Sequence, residues 1–273
     1  MPELPQTAHI RLDVRGPVLY LWLNQPDSRN ALSAQMVREI AATFAAIAND
    51  PSVRIVVLRG AGGTFCAGGD IKNMSIAKEA PAPGQTDDLK EGNRRFGAML
   101  EAVNAAPQVV IAAVEGFAMG GGFGLACVAD VTIATVDARF AMGEVMIGVV
   151  AAAISPFVVQ RIGVTAARRL GVSGIRLNGV EAAEIGIAHV AAADTAALDV
   201  AVRDVCNQVL KCAPGAVAVT KQLMLRASGR TSMSELLDQA AESFAAAVRS
   251  PEGKEGTRAF VEKRKPSWLA QVE

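Results

Sequence analysis

Two apolar runs, each followed closely by a glycine-rich segment, constrain the fold of this chain more than any other feature. The runs are residues 55–58 (IVVL) and 109–114 (VVIAAV), and the glycine-rich segments are residues 65–70 (FCAGGD) and 116–122 (GFAMGGG). Short runs rich in β-branched residues and bounded by glycine are typical of buried strands. The sequence therefore predicts two buried strands, each ending in a tight loop.

Glycine and other small residues in such loops let backbone N–H groups approach a ligand closely. Two loops side by side can direct two N–H donors at one oxygen, which is the construction of an oxyanion hole. A single carboxylate, Glu144, lies in a third loop-like stretch. Together these features indicate an enzyme that stabilises an enolate and moves a proton. A glycine-rich loop alone is more often only a tight turn, and neither segment completes a dinucleotide or P-loop motif.

Charge and composition argue against several other classes of protein. The 27 basic residues balance the 27 acidic residues, so no net field favours nucleic acid or a membrane surface. The four cysteines lack metal-ligand spacing and there are only two histidines, which argues against a metal site or a histidine-based triad. The longest apolar run, residues 145–154, is too short to span a bilayer, and residues 1–20 resemble no signal sequence. The chain is predicted to be cytoplasmic.

Periodicity predicts strands that alternate with helices, followed by a helical end, and so an α/β fold. A hairpin is predicted over residues 10–14 and 18–23, and Ser33 is predicted to cap a helix. Ser155 is predicted to cap a second helix. Further helices are predicted over residues 89–103, 123–128, 214–226, 233–248 and 252–263, and a strand over 131–134. Residues 75–88 are interpreted as either an active-site lid or a surface excursion.

Four motifs, in order along the chain, resemble those of the enoyl-CoA hydratase/isomerase (crotonase) family. Residues 23–26 (LNQP) with 29–32 (RNAL) resemble the family's opening signature, and residues 65–72 (FCAGGDIK) its first oxyanion loop. Residues 120–122 (GGG) resemble its second oxyanion loop, and 260–264 (FVEKR) its C-terminal ending. The resemblance extends from about Ile10 to Pro266 and so covers nearly the whole chain.

This resemblance implies a crotonase-like spiral of ββα units with an α-helical C-terminal region, assembled as a homotrimer or a dimer of trimers. Residues 1–206 are then the core with the active site, and residues 207–273 the helical region for trimerisation and CoA contact. The implied ligand is an acyl-CoA thioester, in which coenzyme A is part of the substrate. No separate cofactor, metal, nucleic acid or membrane partner is expected.

The resemblance also assigns roles to individual residues. The amides of Ala67 and Gly121 are implied to form the oxyanion hole and Glu144 to act as acid and base, while Asp70 is interpreted as a capping or loop-fixing residue. Arg29, Lys72 and Arg94 are candidates for pairing with a carboxylate on the substrate, although Arg29 and Lys72 can instead hold CoA phosphates. The residues implied to contact substrate or CoA are Arg29, Ala31, Ala67, Gly68, Asp70, Ile71, Lys72, Gly120, Gly121, Phe260 and Lys263.

The chain departs from the family pattern at Gly124, where many hydratases carry a first glutamate. The remaining Glu144 is still able to act as acid and base if apolar neighbours such as Met142, Val145 and Met146 raise its pKa. Single-glutamate sites also occur in the family's double-bond isomerases, so isomerisation is the alternative activity. A second alternative, from a different class of function, is that the protein binds a ligand without catalysing a reaction.

The residues that follow Glu144 reduce the number of candidate substrates. Residues 151–159 (AAAISPFVV) replace the usual Pro-Gly-Gly-like turn of the family. They resemble the bacterial branch that hydrates 3-branched glutaconyl-CoA esters in leucine or acyclic terpene breakdown. The resemblance therefore implies hydration of 3-methylglutaconyl-CoA or of its longer isohexenylglutaconyl-CoA relative.

Overall fold

A six-stranded mixed sheet forms the centre of the computed structural model, which describes residues 3–70, 81–82, 84–229 and 231–272. In spatial order its strands are β1 (Ile10–Arg15), β2 (Val18–Leu23), β3 (Ile55–Gly60), β4 (Val109–Val114), β6 (Val131–Thr135) and β9 (Val190–Ala192). The hairpin strands β1 and β2 are antiparallel at one edge, and every other neighbouring pair in this sheet is parallel. The predicted hairpin and the two predicted buried strands, β3 and β4, are confirmed.

A second, three-stranded sheet lies beside the first and was not predicted. Its strands are β5 (Phe117–Met119), β7 (Arg139–Ala141) and β8 (Leu177–Asn178), with β5 parallel to β7 and β7 antiparallel to β8. Strands of two or three residues carry too little alternation to be recognised in a sequence. This small sheet matters for the site because β5 leads directly into the second glycine-rich loop.

In the described part of the chain the helices before the C-terminal region are α1 (Ala34–Ile47), α2 (Asp88–Ala105), α3 (Gly121–Cys127), α4 (Ser155–Ser173), α5 (Gly179–Glu184) and α6 (Thr195–Val209). The first four agree largely with prediction, whereas α5 and α6 were not predicted. Ser33 caps α1 by accepting a hydrogen bond from the N–H of Met36 at 3.1 Å, as expected. The cap predicted at Ser155 is wrong, because Ser155 is the first helical residue and Ile154 the N-cap. The Ser155 hydroxyl donates back to the carbonyl of Ala151 and so caps no N–H.

Three further helices form the C-terminal region, as predicted: α7 (Pro214–Ala227), α8 (Met233–Arg249) and α9 (Pro251–Val261). Two basic side chains join this region to the sheets. Arg54 donates to the carbonyl oxygens of Cys212 and Trp268 at 2.6 and 2.8 Å. The buried Lys221 donates to Asp130 at 2.7 Å and to the carbonyl of Gln108 at 3.1 Å. The predicted division after residue 206 falls within α6 and stays a prediction.

Several predictions concern features outside the sheets and helices. Residues 75–80 and 83 of the predicted lid or surface excursion lie outside the described residues, while Asp87 caps α2 by accepting from Leu89 and Lys90. Of the helices in the described ranges, none is long and apolar enough to cross a bilayer. The same ranges hold no group of three or more His, Cys, Asp or Glu side chains that could bind a metal ion.

Candidate active site

The two glycine-rich loops lie side by side, as the sequence predicts. The N–H of Cys66 donates to the carbonyl of Phe117 at 2.7 Å, and the N–H of Met119 donates to the carbonyl of Cys66 at 3.0 Å. Cys66 in the first loop therefore pairs with β5 like a short extra strand. Because β5 ends at Met119, this pairing holds the first loop directly against the glycines of the second.

Two of the glycines are required by this close approach. A β-carbon built on Gly122 would lie 2.5 Å from the β-carbon of Cys66, which is closer than real atoms come. One built on Gly68 would lie 3.1 Å from the carbonyl oxygen of Met119, and Gly68 also has a φ of 105°, which disfavours other residues. A side chain at either position would thus separate the two loops.

Gly121 presents a backbone N–H that helix formation leaves unused. It is the first residue of α3, and the first intrahelical bond runs from the N–H of Gly124 to the carbonyl of Gly120. The N–H groups of a first helical turn have no acceptor within the helix. Among the described residues the N–H of Gly121 therefore has no acceptor and can be donated to a ligand, while its role in an oxyanion hole stays a prediction.

The corresponding prediction for Ala67 is wrong, because its N–H is already used. It donates to the carbonyl oxygen of Arg29 at 2.9 Å. The neighbouring N–H of Gly68 faces the sulfur of Cys66 at 3.5 Å, whereas that of Gly69 donates to no acceptor in the described part of the chain. The donor that the first loop leaves open is therefore at Gly69.

Glu144 begins a short 3₁₀ turn just after β7 and reaches back to the second loop. Its Oε1 lies 2.9 Å from the position of a β-carbon built on Gly120, so the carboxylate rests against the α-carbon of that glycine. The N–H of Gly120 donates to the carbonyl of Ala141 in β7 at 2.9 Å, which fixes the two segments together. The structure thus brings Glu144, Gly120 and Gly121 to one place.

The electrostatics of Glu144 are dominated by burial of its carboxylate. Its Oε2 is buried and has no hydrogen-bond partner among the described residues. Burial raises the pKa of Glu144 above its ordinary value of 4.5, and a hydrogen bond from its own backbone only partly opposes this. The predicted rise in pKa is confirmed, although Val145 and Met146 are themselves exposed. A carboxylate in this condition is suited to taking up and releasing a proton.

This raised pKa predicts that Glu144→Gln stabilises the fold near neutral pH. A carboxyl group whose pKa is higher in the folded state contributes stability below its unfolded pKa and loses it as pH rises through the folded pKa. We expect the Tm of Glu144→Gln to exceed that of the wild type at about pH 7.5 and to approach it near pH 4. Thermal melting at the two pH values measures this, and a Tm below that of the wild type at pH 7.5 would contradict it.

The space beside Gly124 holds apolar side chains. A β-carbon built on Gly124 would lie 2.2 Å from Cγ2 of Ile154 and 3.6 Å from Cδ1 of Leu100. Next to it, a β-carbon on Gly121 would lie 3.0 Å from Cδ1 of Leu32 and 3.1 Å from Cζ of Phe96. Helix α2, which carries Phe96 and Leu100, therefore covers one side of α3, and the start of α4 covers another.

Arg29 and Asn30 shape the entrance to the first loop. Both have a left-handed φ, of 52° and 57°. The amide side chain of the buried Asn30 accepts from the N–H of Gln25 and donates to the carbonyls of Ala61 and Thr64. This links the segment containing Ala31 to the first loop, and Leu32 continues the link by donating its N–H to Gly68 at 2.8 Å. The Arg29 guanidinium is exposed, 6.0 Å from the Phe117 ring centre.

The remaining predicted site residues lie at the end of the first loop, outside the described residues or away from the loops. Asp70 is the last residue of the first loop and the last one described before the gap, and Ile71 and Lys72 lie outside the described residues. Phe260 is 85% exposed near the end of α9, and Lys263 follows that helix with its N–H on the carbonyl of Phe260. Arg94 on α2 is exposed and lies 3.7 Å from Glu101.

Gly69 and Ile154 are the functional candidates that sequence reasoning missed. The N–H of Ala67, the donor predicted in its place, is occupied by Arg29, 38 positions away, and Ile154 meets Gly124 across 30 positions. Periodicity carries no information on either contact. The one available signal was the absence of a side chain at Gly124, which leaves space for a residue from elsewhere.

Comparison with known proteins shows which family and which solved structures this chain is similar to. Residues 13–271 match the profile of the enoyl-CoA hydratase/isomerase family. Among solved structures, an enoyl-CoA hydratase/isomerase from Marinobacter aquaeolei is 50% identical, with a TM-score of 0.91 over 96% of this chain and 99% of its own. AtuE of Pseudomonas aeruginosa is 48% identical, with the same TM-score over 96% of this chain and 100% of its own.

Two curated relatives have names that indicate a reaction. The carnitinyl-CoA dehydratase of Proteus mirabilis is 33% identical over 97% of this chain and 99% of its own length. The mevalonyl-coenzyme A hydratase sidH of Aspergillus fumigatus is 30% identical over 92% of this chain and 91% of its own length. Both are similar to this chain over nearly its whole length.

Proposed function

The chain belongs to the enoyl-CoA hydratase/isomerase family and has the crotonase fold, and we propose that this hydro-lyase adds water to a 3-branched glutaconyl-CoA ester. The observation that carries the proposal is the buried, unpartnered carboxylate oxygen of Glu144 next to the second glycine-rich loop. A buried carboxylate oxygen without a partner destabilises a fold, and such groups are therefore found mainly where a ligand or a reaction uses them.

In the proposed reaction the thioester oxygen is held by backbone N–H groups. When water adds at Cβ of an α,β-unsaturated thioester, negative charge develops on that oxygen. The N–H groups of Gly121 and Gly69, which have no acceptor among the described residues, are the proposed donors from the two loops. Preorganised donors of this kind lower the energy of the enolate, and loss of one donor costs about 10²–10³ in rate.

Glu144 is the proposed acid and base. It lies against Gly120, one residue from the proposed oxyanion donor, so that it stands close to the α- and β-carbons of a thioester bound there. Its raised pKa lies nearer to neutral pH than that of an exposed glutamate, which favours proton transfer in both directions. Arg29 and Arg94, both exposed, are the described candidates for pairing with the free carboxylate of the substrate.

The names of the relatives support a substrate with a polar end. A mevalonyl group is branched at C3 and ends in a hydroxyl, and a carnitinyl group ends in a trimethylammonium. Both relatives are therefore named for acyl groups larger and more polar than a crotonyl group. This favours a substituted acyl chain for the present chain too, and a role in leucine or acyclic terpene breakdown is part of the proposal.

The proposed assembly is a homotrimer or a dimer of trimers in the cytoplasm. The support for self-association is a set of exposed apolar side chains on the C-terminal helices, which a partner would cover. They include Met224, Met233, Leu237, Phe244 and Phe260. In such an assembly Phe260 and Lys263 would contact the CoA of a neighbouring subunit, and no cofactor other than the substrate's own CoA is proposed.

A substrate panel tests the proposed function. We expect kcat/KM on 3-methylglutaconyl-CoA or isohexenylglutaconyl-CoA to exceed that on crotonyl-CoA by at least about tenfold, the effect of one charge-assisted hydrogen bond. Loss of enoyl absorbance and mass detection of added water measure the reaction. Conversion of 3-enoyl-CoA to 2-enoyl-CoA without a hydrated product would instead support isomerisation, and silence with every ester would support a binding role.

A further inference from the structure

The place that a side chain on Gly124 would need is filled. A β-carbon there would lie 2.2 Å from Cγ2 and 2.8 Å from Cβ of Ile154, far inside the distance at which atoms repel. Ile154 is itself only 2% exposed, so its side chain cannot turn out into solvent. Leu100 closes the same space from α2, with its Cδ1 3.6 Å from that position.

Ile154 is also held in place by its position in the chain. It is the N-cap of α4, and its carbonyl oxygen accepts the N–H of Val158 at 3.0 Å, which begins the helix. An isoleucine has few χ1 rotamers because it is branched at Cβ. Movement of this side chain therefore requires movement of the helix start, and the apolar space beside Gly124 is a fixed part of the site.

Resting on the proposed function, we infer that Ile154 excludes a second carboxylate from the reacting carbons, so that Glu144 alone carries the proton from water to Cα. Glu144 takes a proton from water as the water oxygen bonds to Cβ, and the π electrons move to the thioester oxygen. The enolate then collapses and takes that proton from Glu144 at Cα. Water is consumed, the carboxylate is regenerated, and no other acid or base takes part.

Thermal melting tests the steric part without any measurement of activity. We expect Gly124→Ala to lower the Tm of the wild type by more than about 4 °C, in line with overpacking of a buried site. When Gly124→Ala is added to the Ile154→Ala variant, the additional fall in Tm should be much smaller, because the side chain that the new β-carbon meets is gone. Gly92→Ala is the matched control, because a β-carbon on that helical glycine meets nothing within 4 Å. Additive Tm changes for Gly124→Ala and Ile154→Ala would overturn the inference, whether or not the enzyme is a hydratase.

The pH dependence of kcat/KM tests the chemical part. Among the described residues no charged side chain contributes to the pKa of Glu144; the adjoining α2 and α4 present Phe96, Leu100 and Ile154, while Arg94 on α2 is exposed. One carboxylate must be ionised to start the reaction in either direction. We expect hydration and dehydration each to fall only on the acid side, with the same apparent pKa.

Two results would overturn the chemical part. A bell-shaped hydration profile with a second carboxyl pKa would show that another acid takes part. A folded Gly124→Glu variant with wild-type or higher turnover of crotonyl-CoA would show that Ile154 admits a second carboxylate. By contrast, absence of any hydration by the wild type would refute the proposed function and leave the melting result for Ile154 standing.

Discussion

Glu144→Gln is expected to lower kcat by about 10² or more while CoA-ester affinity changes by only a few-fold. Glutamine keeps the size of the side chain beside Gly120 but cannot exchange a proton. The ground state loses little, because no described residue donates a hydrogen bond to Oε2 of Glu144, the oxygen that the amide nitrogen can replace. Steady-state kinetics on the best ester of the substrate panel, with a separate binding titration, measure the two effects.

The control for this prediction is Glu242→Gln on α8, which makes the same chemical change at an exposed glutamate. Its kcat should equal that of the wild type. If Glu144→Gln instead kept most of its turnover, Glu144 would be removed from the mechanism, and the unpartnered carboxylate would require another explanation.

Gly121→Pro is expected to abolish most turnover, by about 10²–10³, because proline has no N–H to offer the thioester oxygen. The substitution is suited to this position in the fold. Gly121 is the first residue of α3, and proline is well tolerated at the first position of a helix. Kinetics with circular dichroism and thermal melting separate the loss of the donor from a loss of structure.

Gly121→Ala is the matched control for the proline variant. Both substitutions add a β-carbon that meets the flexible ends of Leu32 and Phe96 at 3.0 and 3.1 Å, but only alanine keeps the N–H. We expect Gly121→Ala to lose less than about tenfold, since these side-chain ends can give way. Equal turnover of a folded Gly121→Pro variant and the alanine variant would refute a donor at Gly121.

Elements that carry their own signal were predictable from the sequence. The β-branched runs of β3 and β4 and the cap at Ser33 specify local structure by themselves, and each was found where expected. By contrast, β5 and β7 are strands of three residues that exist because they pair with each other and, through Cys66, with the first loop. Their stability comes from non-local hydrogen bonds, which no local pattern records.

The sequence was sufficient to predict which loops form the candidate site, but not which N–H groups are open or which side chains are in contact there. The glycine-rich segments and Glu144 indicated an oxyanion hole with one carboxylate, and the structure brings them together. Which N–H groups are open depends on where the surrounding carbonyl oxygens lie. The N–H of Ala67 is occupied by Arg29 while that of Gly69 has no acceptor among the described residues, and the contact of Ile154 with Gly124 was likewise decided by packing.

The links made by Arg54 and Lys221 have a consequence for how the protein unfolds. If the C-terminal helices detached while the sheets stayed intact, Arg54 would lose the carbonyls of Cys212 and Trp268, and Asp130 would lose the ammonium of Lys221. Detachment would exchange these charge-assisted hydrogen bonds for bonds to water, at a net cost of about 1.5–3 kcal/mol for each bond to a charged group. We therefore expect the sheets and the helical region to gain or lose their structure in one cooperative transition.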